Sequence, residues 1–400
     1  MSAEGTGTGR LGVWLVGARG SVATTTILGA LAVRAGLSGR TGLVAELPEV
    51  AAARLPALDD LVFGGHDIGC DPLVKRAERL VAGGVVPADL LPAVREELEA
   101  VEARLRPGYD TSAVRTGSGE TQAEAVERLA ADLTAFRIEH RLDRVVVVDV
   151  ASTEAPVELG DSGALVDPVA LDAALAAGEA PLPPSSAYVL AAYRAGCPVV
   201  SFTPSPGPRL PVLSAIAAGH GLPWAGSDGK TGETLLKSVL APMFATRGLR
   251  VNAWSSFNIL GGGDGATLAD PDRAASKLDS KGTGLEAILG HPVQGPMHID
   301  FVPDQGEQKT AIDHVSFEGF LGARMSLQFT WTGYDSALAA PLVLDLARLT
   351  LRAHELGESG PLPFGFFFKD PAGPAGTTPE HRLAAQWDAL VAWCADGGAR

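Results

Sequence analysis

LGVWLVGARGSVATTTILGALAVRAG, residues 11–36, is the stretch whose reading decides the fold. An apolar run from Leu11 to Val16 meets a glycine turn, and then small residues lead into an apolar periodic stretch without proline. That order reads as strand, tight loop, helix. Inside it, VGARGSVA places Gly17, Gly20 and Ala23. A dinucleotide fold needs one glycine for the turn, another where backbone approaches the pyrophosphate, and a small third residue for helix–strand packing. The spacing is G-x-x-G-x-x-A, with Arg19 inside it, not the commoner G-x-G-x-x-G. An ordinary tight turn would give the same glycines, so position on the first strand-to-helix turn carries the reading. Backbone N–H groups and the helix N-terminus would hold phosphates, which makes Gly17, Arg19, Gly20, Ser21 and Val22 the candidate cofactor contacts. An acid for the ribose hydroxyls should follow, and Glu46 and Asp67 are both candidates.

Working outward, further buried-strand candidates are TGLVAE (41–46), LVFGG (61–65), RVVVVDV (144–150), CPVVSF (197–202) and LPWAG (222–226). Helical patterns lie between most of them, including PADLLPAVREELEAVEARL and QAEAVERLAADLTAFRIEH. Such alternation predicts a mostly parallel sheet with helices on both faces. After about residue 248 the texture changes. RVNAWSSFNILGGGDG, PMHIDFVP and ARMSLQFTWT read as longer strands of a mixed or antiparallel sheet. From Asp335 a long helix resumes, with Pro341 expected to kink it or to mark its first turn. PFGFFFKD, a loop at 371–378 and a last helix in PEHRLAAQWDALVAWCAD complete the chain. The fold class is therefore α/β, a Rossmann-type domain with a second α+β domain carrying a mixed sheet.

A formal net charge of −15 over 400 residues argues against nucleic acid as a partner, because a binding domain for it shows a basic face. No apolar run reaches bilayer length, and MSAEGTGTGR lacks the apolar core of a signal peptide. Cys70, Cys197 and Cys394 form no C-x-x-C pair and read as reduced thiols of a cytoplasmic enzyme. The eight histidines make no H-E-x-x-H or comparable set, so no metal is expected.

Of the 32 Lys plus Arg, only seven are Lys: 75, 230, 237, 277, 281, 309 and 369. Arginine has taken over the surface role, so a surviving lysine marks a place where an ammonium is wanted. An ammonium can lose its proton when buried; a guanidinium effectively cannot. The plain alternative for each is a solvated side chain, and Lys75 is read that way. Lys230 and Lys237 stay open between site and surface.

Here the motifs become informative together. GSDGKTGETLLKS (226–238), NILGGGDG (258–265), SKLDSK (276–281), GEQKTAIDH (306–314) and YDSALAAPLVLDL (334–346) occur in the order and spacing of one family. With the glycine loop, FGGHDI and VASTEAP upstream, the sequence resembles the myo-inositol-1-phosphate synthase family over roughly residues 10 to 370. The resemblance implies bound NAD and a cyclisation of glucose 6-phosphate: oxidation at C5, enolisation, attack of C6 on the C1 aldehyde, and return of the hydride. It implies catalytic roles for Lys277, Lys281, Lys309 and Lys369, with Asp228 beside Lys369 and Asp335 orienting a lysine. It implies cofactor contacts at Ala151, Ser152, Thr153, Asp228, Gly263 and Asp264, besides those of the glycine loop and Asp67. Thr231, Gly232, Glu233 and Thr234 would seat the substrate phosphate at a helix start. It further implies an NAD-binding domain over 10–245, completed by 335–400, and a catalytic and oligomerisation domain over 246–334, assembled as a homotetramer.

Two departures from the family's pattern bear on the substrate. Gly262 and Gly263 stand where two asparagines are usual, and Glu233 stands for a glutamine. Lost hydroxyl-binding amides change which sugar is accepted. Glucose 6-phosphate is the default substrate, and fructose 6-phosphate closing to a five-membered carbocycle is the alternative. The rival classes are a simple NAD-dependent dehydrogenase and a non-catalytic NAD sensor.

Overall fold

The computed structural model describes residues 9–111, 119–154, 162–262, 285–373 and 378–399. The chain opens with strand β1 (Arg10–Val16), buried from Leu11 onward, and helix α1 (Ser21–Arg34). There follow α2 (Pro48–Ala51), β2 (Leu61–Asp67), α3 (Leu73–Ala82), α4 (Leu90–Glu102), β3 (Leu105–Pro107) and α5 (Gln122–Glu139). Next come β4 (Leu142–Asp149), α6 (Pro168–Ala176), α7 (Pro184–Arg194), β5 (Val199–Ser201), α8 (Pro211–His220) and β6 (Pro223–Gly226). Helix α9 (Gly232–Thr246) leads to β7 (Arg250–Leu260), β8 (Met297–Phe301), β9 (Lys309–Glu318) and β10 (Arg324–Gly333). Helix α10 (Asp335–Glu355), β11 (Gly360–Pro361) and α11 (Leu383–Ala399) finish the order.

Seven strands form one sheet in the order β11-β6-β5-β4-β1-β2-β3, every pair parallel. Its strands read as continuous apolar runs because helices cover both faces. Val13, Leu15 and Val146 face one core with α1 and α10, while Trp14, Val145 and Val147 face another with α5 and α7. The strand order reverses between β4 and β1, where ligands of such sheets bind. The second sheet is mixed, β10-β9-β7-β8, with β7 and β8 parallel and the other pairs antiparallel. Trp254, Val251 and Val315 pack its inner face onto Phe244 of α9. No helix among the described residues is long and apolar enough to cross a membrane.

Several sequence expectations change. TGLVAE is a turn followed by a 3₁₀ segment (Val44–Glu46), not a strand, because it docks on α10 and has no sheet neighbour. Glu46 therefore leaves the list of ribose acids; its carboxylate holds Arg348 at 3.0 Å and Arg40 at 2.9 Å. Helix α10 begins at Asp335, so Pro341 lies inside it and does not mark its first turn. GEQKTAIDH, quoted as a motif, runs into the central strand β9, whose alternation its polar residues hid. β3 and β11, of three and two residues, carry no periodic signal to read.

Asp345 of α10 is fully buried and accepts the Val44 N–H at 2.6 Å. Burial, outweighing its hydrogen bonds and Arg348, pushes its carboxyl up to about 7. The stability that an acid with a raised folded pKa contributes is complete below its ordinary pKa and is lost as pH rises through the folded one. Asp345→Asn keeps an acceptor for Val44 and removes the charge. It should raise urea-unfolding stability more at about pH 8 than at about pH 5, by about 2 kcal/mol. An equal effect at both pH values would count against this.

Candidate functional site

At the end of β1 the chain must turn sharply over the sheet edge. Gly17 does so at a φ of 80°, a region glycine enters without steric cost. A Cβ there would stand 2.7 Å from Ala151 Cα, so the loop and the segment after β4 are in backbone contact. The Gly17 and Ala18 N–H groups both donate to the His66 carbonyl, at 2.9 and 3.1 Å. His66 itself is buried and structural: its Nδ1 accepts from Trp14 at 2.8 Å and its Nε2 meets Asp132 at 3.1 Å. Gly20 starts α1 with no side-chain cap, which leaves the first N–H groups of the helix available to an anion at the sheet's switch point. That donor set fits a dinucleotide phosphate.

Asp67 ends β2 and accepts the backbone N–H groups of Arg19 at 2.7 Å and Gly69 at 2.6 Å. It thus stands where a ribose acid belongs and also clamps the glycine loop. The Arg19 guanidinium turns away, paired with Glu102 and the Gly69 carbonyl, so only its backbone serves the loop. Ser21 donates to Glu307 at 2.9 Å and accepts from Arg76 at 2.7 Å. These contacts tie the first turn of α1 to the approach to β9. Val22 packs on the core.

Ala151, Ser152 and Thr153 continue from β4, fixed by Val150 N–H to Val16 O at 3.0 Å and Ala151 N–H to the Asp149 carboxylate at 3.0 Å. Two acids flank them, Asp149 buried and Glu154 half-buried. Burial pushes Asp149 up to about 6 and Glu154 up to about 7, the latter despite hydrogen bonds from Ser185. Neither acid was singled out from sequence; for Asp149, its place at the end of a buried apolar strand was the available signal.

The lysine half is built from residues far apart in the chain. Asp228, at a φ of 62°, accepts from Lys369 Nζ at 3.2 Å, and Lys369 N–H donates to the Asp228 carbonyl at 2.7 Å. An antiparallel bridge between Gly229 and Phe368 holds both in place. Lys309, first residue of β9, pairs with Asp335, first residue of α10, at 3.0 Å. The other Asp335 oxygen lies 3.7 Å from where a Cβ on Gly232 would stand, so this pair adjoins the Thr231–Thr234 segment. Thr231 caps α9 with backbone alone, again leaving helix N–H groups uncommitted to a side chain. Thr234 and Lys369 line one cavity with Lys230, Lys237 and Asp370.

Glu233 departs from the expectation of a phosphate contact. Its carboxylate is buried and held by Lys237, which also donates to Ser256 at 3.0 Å and lies 3.8 Å from Asp313. Asp313, on β9, accepts from Trp254 at 2.8 Å and Ser256 at 2.5 Å. Its carboxyl is raised by burial and by Glu233. Lys237 is thereby the centre of a buried polar knot joining α9 to the second sheet. Asn258 of the N-x-L-G stretch is also buried, and among the described residues neither of its amide atoms has a hydrogen-bond partner. Lys277, Lys281, Gly263 and Asp264 lie outside the described residues.

Comparison with known proteins identifies the family. The profile of the NAD-binding Myo-inositol-1-phosphate synthase family matches residues 11–394. Inositol-3-phosphate synthase 1 of Bacteroides thetaiotaomicron is 34% identical, over 95% of this chain and 94% of its own length. The crystal structure of inositol-3-phosphate synthase from Caenorhabditis elegans shares the fold with a TM-score of 0.87 at 23% identity, covering 98% of this chain and 86% of that one. A myo-inositol-1-phosphate synthase-related protein from Thermotoga maritima gives 0.76 at 22% identity, over 96% of this chain and 98% of that one. With a dinucleotide loop and a paired-lysine site on a chain matched by that profile almost throughout, this protein belongs to the myo-inositol-1-phosphate synthase family of NAD-using enzymes.

Proposed function

We propose that this chain is an NAD-dependent cyclase of a hexose 6-phosphate, with glucose 6-phosphate going to a myo-inositol phosphate. The observation that carries the reading is the convergence of two lysine–aspartate pairs, Lys369–Asp228 and Lys309–Asp335, on the start of α9. The glycine loop, Asp67 and Ala151–Thr153 would hold NAD, which would supply a reversible hydride acceptor for C5. Lys369, oriented by Asp228, takes the C5 hydroxyl proton. Lys309, fixed by Asp335, offers positive charge to the enolate oxygen and the phosphate. Lys277 polarises the C1 aldehyde and Lys281 serves the C5 oxygen or the phosphate. The first N–H groups of α9 and the hydroxyls of Thr231 and Thr234 seat the phosphate. Substrate and product are isomers, so hydride and protons balance within one turnover.

A second reading, closure of fructose 6-phosphate to a cyclopentane, is favoured by Gly262. A side chain there would begin in van der Waals contact with the Glu307 carboxylate, at 3.4 Å, so the amide usual at this place is missing beside an acid. Fructose 6-phosphate has a C2 ketone for C6 to attack.

Product analysis by mass spectrometry and ¹³C NMR, with catalytic NAD and each sugar phosphate in turn, separates these. An inositol phosphate from glucose 6-phosphate is expected. A five-membered carbocycle from fructose 6-phosphate alone would replace the first reading by the second. Stoichiometric NADH without a ring would sink both in favour of a dehydrogenase.

We also infer that residues 246–334 are the catalytic and oligomerisation domain of a homotetramer, since the outward side of the second sheet exposes Phe257 and its cross-strand partner Ile312. A monomer in sedimentation would remove the oligomerisation part.

A further inference from the structure

Lys230 stands apart from the other lysines of the site. Its side chain is buried, lines the cavity that also holds Thr234 and Lys369, and donates to Gln386 Oε1 of α11. The Lys230 N–H donates to the Phe367 carbonyl at 2.8 Å, which fixes its backbone. Gln386 is itself locked, its amide donating to the Glu380 carbonyl. The partner is thus neutral and oriented, and no carboxylate among the described residues forms an ion pair with Lys230. The charged groups around it are otherwise engaged: Asp228 with Lys369, Glu233 with Lys237, and Glu380 with Arg382. Asp370 and His381 complete the charged or titratable lining. Burial raises the Asp370 carboxyl, and among the described residues it forms no ion pair with Lys230.

A buried ammonium without a counter-ion is costly unless a ligand supplies one. We propose that Lys230 is a substrate-binding cation, held by Gln386, that takes an anionic oxygen of the hexose 6-phosphate as the counter-ion that the described residues do not provide. This rests on the hexose phosphate reading above. A consequence follows from linkage. Burial lowers free Lys230 to about 8, and an anion beside it raises it again. Binding near that pH therefore takes up a proton, and affinity falls as pH rises beyond it.

The test uses NADH-loaded enzyme and glucitol 6-phosphate, an alcohol with no carbonyl to reduce, so no turnover intrudes. Isothermal titration at about pH 8, in two buffers of different ionisation enthalpy, should show uptake of about half a proton per ligand. Lys230→Met should weaken binding on the order of ten- to a hundred-fold and abolish the uptake. Lys230→Arg keeps a charge that does not titrate, so it should bind without uptake; it covers the case in which the methionine variant fails to fold. Wild-type binding with no buffer-dependent heat, or unchanged affinity in Lys230→Met, overturns the proposal. No binding of glucitol 6-phosphate, with NADH still bound, overturns the hexose phosphate reading itself.

Discussion

Lys369→Met should lower kcat by about 10²- to 10⁴-fold, the usual range for losing a positioned proton-transfer group, with NAD binding preserved. Methionine keeps the apolar stem, so the loss isolates the ammonium from its packing. Lys369 sits opposite Asp228 across a short antiparallel bridge, with its Nζ 3.2 Å from the carboxylate and its side chain largely sheltered from water. The bridge fixes both backbones, so the loss falls on the amine and not on the local fold. Asp228→Asn should cost less, because an amide still orients the lysine while losing the charge. Product formation followed alongside NAD titration checks both. A kcat within about tenfold of wild type would remove Lys369 from the proton-transfer step.

Gly17→Val should remove NAD binding, lowering affinity at least about a hundred-fold, and activity with it. Two costs add. The φ of 80° is strained for a branched side chain, by about 1–3 kcal/mol. The new Cβ would meet Ala151 Cα at 2.7 Å, backbone against backbone, so β1 and β4 must part where the phosphates would lie. Gly29→Ala is the matched control: a Cβ there meets nothing within 4 Å, and alanine favours the helix. NAD titration of both variants, with circular dichroism to show that the sheet persists, decides the point. Unchanged NAD affinity in Gly17→Val would mean that the loop does not cradle the cofactor.

What the sequence made legible follows from range. The glycine loop, β2, β4 and α5 were readable because each is a run of local periodicity bounded by turn residues. The segment at 41–46 misled because LVA is apolar for a different reason, docking on a helix instead of pairing in a sheet. β9 was hidden because exposed Ile312 and buried Asp313 invert its apolar alternation, and Asp313 is buried with Trp254, Ser256 and Lys237 meeting it from other elements. The motifs named Lys309, Lys369, Asp228 and Asp335, yet their pairing lies in tertiary distance. Glu233 could be flagged as an oddity from sequence, but its partner Lys237, one helical turn on, became visible only with its burial. Gln386 carries no motif of its own and gains meaning solely from the lysine it meets.

The C-terminal segment, which adds β11 to the sheet's edge and brings Lys369 and Gln386 to the cavity, sets the tempo of folding. The Val44–Asp345 hydrogen bond closes a loop of 301 residues, Lys230–Gln386 one of 156, and Asp228–Lys369 one of 141. Such contacts form late, because their closure entropy must be met before they reward the chain. A nascent chain can pair Lys309 with Asp335 across 26 residues, but Lys369 reaches Asp228 and Lys230 reaches Gln386 only when the last segment docks. Catalytic competence is therefore a late event in maturation, acquired after most of the dinucleotide scaffold already stands.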